Sequence, residues 1–112
     1  MVTPTRITTS VALVLRAFLA DVAGEHYGVQ LMKATGLPSG TLYPILARLE
    51  ASGWLISAKE DIDPVVEGRP RRRYYRLDPT MAYQARHEVA SLAERLHVPA
   101  PTSQLRPGLA GA

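Results

Sequence analysis

The chain has 112 residues, 46% of them hydrophobic and 21% charged, with a formal net charge of +3 and no cysteine. That length holds one domain with a modest core, and the lack of cysteine excludes disulfides, thiolate zinc sites and thiol nucleophiles. The charge is unevenly placed: five arginines fall within residues 69–76, directly after an acidic stretch over 60–67. Such a density fits phosphate contact and equally fits a solvated strand edge that discourages aggregation.

Residues 1–8 read as a loose arm. A first helix follows, capped by Thr9 or Ser10, because Val11, Val14, Leu15, Phe18 and Val22 recur at three- and four-residue spacing. Leu13, Ala17 and Ala20 form a thinner second stripe, and a helix apolar on two sides packs on two sides, against its own core and against a partner. Gly24 ends this helix. A second helix spans about 27–35, with Val29, Leu31 and Met32 as apolar anchors and Gly36 as its stop.

The turn Leu37-Pro38-Ser39-Gly40 leads into a third helix with Ser39 as its cap. Leu42, Ile45, Leu46 and Leu49 give it a core-facing stripe, and Gly53 stops it. The period then changes. Trp54, Ile56 and Ala58 alternate with Leu55, Ser57 and Lys59, predicting a strand with one buried face. A loop over about 61–70 separates it from a second strand over 72–77, which sets Arg73, Tyr75 and Leu77 on one side and Arg72, Tyr74 and Arg76 on the other. Three helices followed by a hairpin is the winged-helix order.

Asp78 caps a last helix with Pro79 at its first position. Met81, Ala85, Val89, Leu92 and Leu96 line one face at near-heptad spacing, which suits dimerisation, together with Leu13, or packing on the chain's own domain. The fold class expected is mainly α with a small β-hairpin wing: a winged helix-turn-helix over residues 9–77, a dimerisation helix over 78–97 and a disordered tail over 98–112. The apolar stretch over 11–22 is interrupted by Arg16 and Asp21 and too short to span a bilayer. No signal-peptide pattern is visible, so the expectation is a soluble, cytoplasmic, nucleoid-associated protein without a membrane partner.

In a helix-turn-helix the second helix enters the major groove, N-terminal end first. With the leucine stripe inward, Gly40, Pro44, Ala47 and Ala51 lie on the opposite face, flanked by Tyr43 and Arg48. Small residues let a helix approach a second surface closely, and the flanking groups reach phosphates or base edges. Pro44 removes a hydrogen bond and clashes with the Gly40 carbonyl, which costs up to ~3 kcal/mol in a helix interior; a bent or tilted helix start is one consequence. In the wing, Gly68-Arg69-Pro70-Arg71-Arg72-Arg73 suits an extended course along a minor groove. Arg69 and Arg71 are assigned to the groove, Arg72 and Arg73 to phosphates.

The runs Tyr27-Gly28-Val29-Gln30-Leu31 and Ser39-Gly40-Thr41-Leu42-Tyr43-Pro44-Ile45-Leu46-Ala47-Arg48-Leu49-Glu50-Ala51-Ser52-Gly53-Trp54-Leu55, with the later Gly68-Arg69-Pro70-Arg71-Arg72-Arg73-Tyr74-Tyr75-Arg76-Leu77, resemble the PadR family of bacterial repressors. The similarity covers about residues 11–77. It implies a winged helix-turn-helix, a homodimer held mainly by the C-terminal helix and an inverted-repeat operator in double-stranded DNA. It also implies DNA contacts at Tyr27, Ser39, Thr41, Tyr43 and the wing arginines. Two departures stand out: Asp78-Pro79-Thr80-Met81-Ala82 replaces the family's threonine-x-x-glycine turn, and the segment between Gln30 and Pro38 is short. With a single C-terminal helix there is no separate ligand domain, so a small-molecule effector would have to sit at the dimer interface.

No catalytic, metal or cofactor set emerges. His26, His87 and His97 are scattered and match no metal-ligand spacing, and Gly36-x-x-x-Gly40-Thr41 lacks the lysine and preceding strand of a phosphate loop. Asp61, Asp63 and Glu67 suggest a solvated wing tip more than a metal loop. The rivals to a sequence-specific repressor are a winged helix that binds protein and an architectural DNA-binding protein of plasmid or phage type.

Overall fold

The computed structural model describes residues 7–96; His97 and the tail over 98–112 lie outside them, as do residues 1–6. Helix α1 (Thr9–Leu19) starts one residue before the sequence reading places it, because Thr8 is the cap: its hydroxyl accepts from the Val11 amide at 3.3 Å. It also ends before Gly24, at Ala20. Val11, Val14, Leu15 and Phe18 are buried on one stripe.

The chain then makes a two-residue strand, β1 (His26–Tyr27), that periodicity does not reveal. Two residues are too few for alternation, and the pairing is non-local. Helix α2 (Gly28–Thr35) follows and closes at Gly36, whose φ of 75° is the left-handed conformation that glycine adopts without strain. Of the anchors expected on α2, Leu31 is buried, Met32 is half-buried and Val29 is 58% exposed. Helix α3 (Ser39–Ala51) has Pro38 as its N-cap, so Ser39 is its first helical residue and caps nothing. It runs unbroken through Pro44, and Leu42, Ile45, Leu46 and Leu49 all face the core. Gly53, at φ 86°, makes the stop.

Strands β2 (Leu55–Lys59) and β3 (Arg73–Leu77) form the wing. β3 is central in an antiparallel sheet of order β1-β3-β2, with Leu55 opposite Leu77, Lys59 opposite Arg73 and His26 opposite Tyr75. The strand does not alternate cleanly as expected: Leu55 is buried and Ile56 exposed, while Ser57 and Ala58 are both half-buried. Trp54 is buried just before the strand, where its amide bonds the Leu49 carbonyl at 2.9 Å. The connecting loop contains a one-turn helix, α4 (Pro64–Glu67), capped by the Asp63 carboxylate and ended by Gly68.

Asp78 caps the last segment as expected, its carboxylate accepting from the Thr80 amide at 3.0 Å. A single 3-10 turn, Pro79–Met81, leads into α5 (Ala82–Arg95). This helix packs on α1, so the start of its apolar seam serves the chain's own core. Met81 and Ala85 are buried there with Leu15, Phe18, Leu31, Leu46, Trp54, Tyr75 and Leu77. They offer no side-chain surface outward. The protein is a winged helix whose three α-helices support a small sheet and whose fourth long helix braces the first.

Candidate nucleic-acid interface

The first turns of α3 project Ser39, Gly40, Tyr43, Pro44, Ala47 and Arg48 to solvent, with Thr41 half-buried. The leucine stripe fixes this orientation by pinning the opposite face. A Cβ on Gly28, the first residue of α2, would overlap the Tyr43 hydroxyl and lie 2.6 Å from its Cζ. Glycine therefore lets the Tyr43 ring cross close to the α2 backbone and sets the approach of the two helices. Tyr27, the N-cap of α2, donates its amide to Gln30 Oε1 at 3.2 Å.

The wing base is organised around Glu60, a residue that motif reading places only among the acidic neighbours of the loop. Its Oε1 accepts from Arg69 Nη1 at 2.6 Å and from the Arg72 amide at 2.9 Å. Its Oε2 accepts from Arg69 Nη2 and from the Tyr27 hydroxyl, each at 3.2 Å. Four donors thus occupy the carboxylate's acceptor sites, with the Glu60 side chain 13% and the Arg69 side chain 33% exposed. The Arg69 hydrogen bond, then that of the Arg72 amide, lowers the Glu60 pKa to about 2. Desolvation first, and Glu60 second, raises that of Tyr27.

A second relay joins α3 to the wing. The Ser57 hydroxyl donates to Glu50 Oε2 at 2.7 Å and accepts from Arg73 Nη1 at 2.9 Å. Arg71 Nε donates to the Ile62 carbonyl at 3.0 Å. Among the described residues the Arg69–Glu60 pair is the only ion pair, so the guanidinium charges of Arg71, Arg72 and Arg73 have no carboxylate partner there, and all three side chains are exposed. Arg72 and Arg73 line an open groove of about 240 Å³ with Tyr27, Gly28, Val29, Tyr43 and Tyr75. One surface therefore joins the α2 start, an α3 side chain and the arginine strand. The structure brings together Tyr27, Tyr43, Arg72 and Arg73; Ser39, Gly40 and Arg48 lie on the exposed side of α3 outside that groove.

The wing tip carries the opposite character. Asp61, Asp63, Val65, Val66 and Glu67 are exposed there, and among the described residues no cluster of acidic or histidine side chains is arranged to hold a metal ion. His26 is engaged instead with the Asp21 carbonyl at 3.0 Å and the edge of Phe18. His87 is exposed on α5. No helix among the described residues is long and apolar enough to cross a membrane.

Helices α1 and α5 leave an apolar groove of about 160 Å³ lined by Ala12, Leu13, Val89, Leu92, Ala93 and Leu96, with Thr9 and Arg16 beside them. Leu96 is 51% exposed.

Comparison with known proteins agrees with this architecture. No curated protein matches the chain. Among solved structures, the circadian clock associated protein Pex from Anabaena is 23% identical with a TM-score of 0.56, covering 85% of each chain. The protein smu.1704 from Streptococcus mutans UA159 is 26% identical with a TM-score of 0.52, over 84% of this chain and 85% of that one. BpsR from Bordetella bronchiseptica, whose DNA binding is regulated by 6-hydroxynicotinic acid, is 20% identical with a TM-score of 0.62, over 93% of this chain and 67% of that one. These likenesses show the fold. The model of the transcriptional regulator PadR-like family matches residues 19–80, which span α2, α3 and the whole wing, and the chain belongs to that family of DNA-binding regulators.

Proposed function

We propose that the protein is a sequence-specific repressor that binds an inverted-repeat operator as a homodimer and catalyses no reaction. The observation that carries this reading is the groove shared by Tyr43 of α3 and Arg72 and Arg73 of the wing. A recognition helix and a wing act on one duplex only if their DNA-facing groups share a surface. Ser39, Gly40, Thr41, Tyr43 and Arg48 are the residues proposed to meet the major groove. Arg71, Arg72 and Arg73 are proposed for the backbone and the adjacent minor groove, and Tyr27, which lines the groove with Arg72 and Arg73, for packing against the DNA there.

The proposed dimer forms through the α1–α5 groove, a second copy covering Leu13, Val89, Leu92 and Leu96. Met81 and Ala85 support that face from beneath. A chain this small gains a large fraction of its buried apolar area by pairing, and a two-fold pair of recognition helices matches an operator with two half-sites. The regulation of BpsR by a small acid motivates testing the same groove, with Arg16 at its rim, as an effector site.

Fluorescence anisotropy with labelled duplex tests the DNA contact directly. Replacing Arg71, Arg72 and Arg73 together by alanine should weaken binding to every sequence. It should also flatten the dependence of log K on log salt by about 0.9 for each phosphate that is no longer neutralised. Unchanged affinity and slope would remove the wing from the interface and favour a winged helix that binds protein.

A further inference from the structure

We infer that Glu60 acts as an internal counter-anion of the wing, holding Arg69 out of the DNA contact and so limiting the wing's affinity for non-specific DNA. The inference rests on the DNA-binding reading and deepens it. The sequence assigns Arg69, with Arg71, to the groove; the fold sets Arg69 apart from the others. Its two terminal nitrogens reach both oxygens of Glu60 at 2.6 and 3.2 Å, a bidentate arrangement that fixes the guanidinium plane. Its Nη1 also meets the Pro70 carbonyl at 3.2 Å. The three exposed arginines that follow have no carboxylate partner among the described residues.

The placement of Glu60 explains why its pairing bears on DNA. Its remaining acceptor positions are filled by the Tyr27 hydroxyl and the Arg72 amide, and Tyr27 and Arg72 line the groove beside Tyr43. Arg69 is thus parked at the edge of the proposed interface. A phosphate approaching there must compete with a carboxylate already held by four donors, and no counterion is released from a guanidinium whose charge is met internally. Glu60 therefore subtracts one cation from the wing, and its loss would return that cation.

Glutamine is the diagnostic substitution. Its carbonyl oxygen, in the Oε1 position, still accepts from the Arg72 amide, and its NH2 group, in the Oε2 position, donates to the Tyr27 hydroxyl, whereas the missing charge and the lost second acceptor release Arg69. Binding of wild type, Arg69→Ala, Arg72→Ala, Glu60→Gln and the Glu60→Gln/Arg69→Ala double variant to a random-sequence duplex is measured across a salt series, with circular dichroism confirming the fold of each. Arg72→Ala should flatten the log–log slope by about 0.9, and Glu60→Gln should steepen it by about 0.9 and tighten low-salt binding several-fold. Arg69→Ala should leave the slope unchanged in the wild-type background and cancel the gain in the double variant. A slope flattened by Arg69→Ala alone, or unaltered by Glu60→Gln in a folded protein, would overturn the inference. If Glu60→Gln fails to fold, the Arg69→Ala slope decides alone. A wild-type protein without salt-dependent binding would instead overturn the DNA-binding reading beneath it.

Discussion

Gly28 and Tyr43 are packed so closely that a single Cβ on the glycine would occupy the space of the tyrosine hydroxyl. The two residues open α2 and sit in the second turn of α3, so their contact is a spacer between the halves of the helix-turn-helix. Tyr43 is 42% exposed and its ring can swing outward, which makes the displacement inexpensive for stability, while alanine is the better helix former. Gly28→Ala should therefore shift the melting temperature by only a few degrees, about what a change below 1 kcal/mol produces. It should also weaken operator binding about tenfold or more, near 1.4 kcal/mol. Parallel melting and anisotropy titrations check both halves; equal losses in stability and affinity would mean the contact serves packing alone.

Pro44 stands inside α3, where its missing amide leaves the Gly40 carbonyl without a helical donor. Because the helix continues through it, Pro44→Ala restores a bond and relieves a clash, and should stabilise the protein by up to about 3 kcal/mol. A thermal melt showing no gain would contradict this. Affinity for the operator, measured on the same variant, then reports whether the proline shapes the recognition surface.

The Glu60 pair predicts a specific pH response. Its folded pKa of about 2 lies below the ordinary glutamate value of 4.5, so the stabilisation it contributes is fully present above pH 4.5. It is lost progressively as pH falls toward 2 and the folded carboxylate protonates. A carboxyl-carbon NMR titration should find Glu60 ionised at pH 3.5, and Arg69→Ala should move its midpoint upward.

Leu96 offers the cleanest test of the proposed dimer. Leu92 is buried, so a charge there would damage the fold, whereas Leu96 is half exposed at the groove mouth. Leu96→Asp should shift sedimentation velocity toward monomer at micromolar protein while the circular dichroism spectrum stays unchanged. A dimer that persists would move the interface elsewhere.

Much of the fold is legible from residue order because its helices carry one-sided stripes. Leu42, Ile45, Leu46 and Leu49 leave a single orientation for α3, and that orientation determines which residues can face DNA. The first strand of the wing is harder: both phases of β2 contain large apolar residues, so alternation alone does not choose between Leu55 and Ile56. Trp54 favours the phase of the exposed Ile56, being itself buried outside the strand. β1 has two residues and exists only through its partner β3. The role of Glu60 is invisible for the same reason, since its partners Tyr27, Arg69 and Arg72 lie up to 33 positions away. Charge runs show where cations are dense; only the fold shows which of them are already paired.

Sequence-specific binding by a two-fold pair of recognition helices can be read from selection out of random duplex DNA with the purified protein, repeated at low and moderate salt. Enrichment of an inverted repeat is expected, with half-site centres about one helical turn, or a multiple of it, apart, and with the enrichment surviving the higher salt. Binding without an enriched motif would contradict sequence-specific repression and indicate an architectural role, and absence of binding at both salts would contradict the DNA-binding account as a whole.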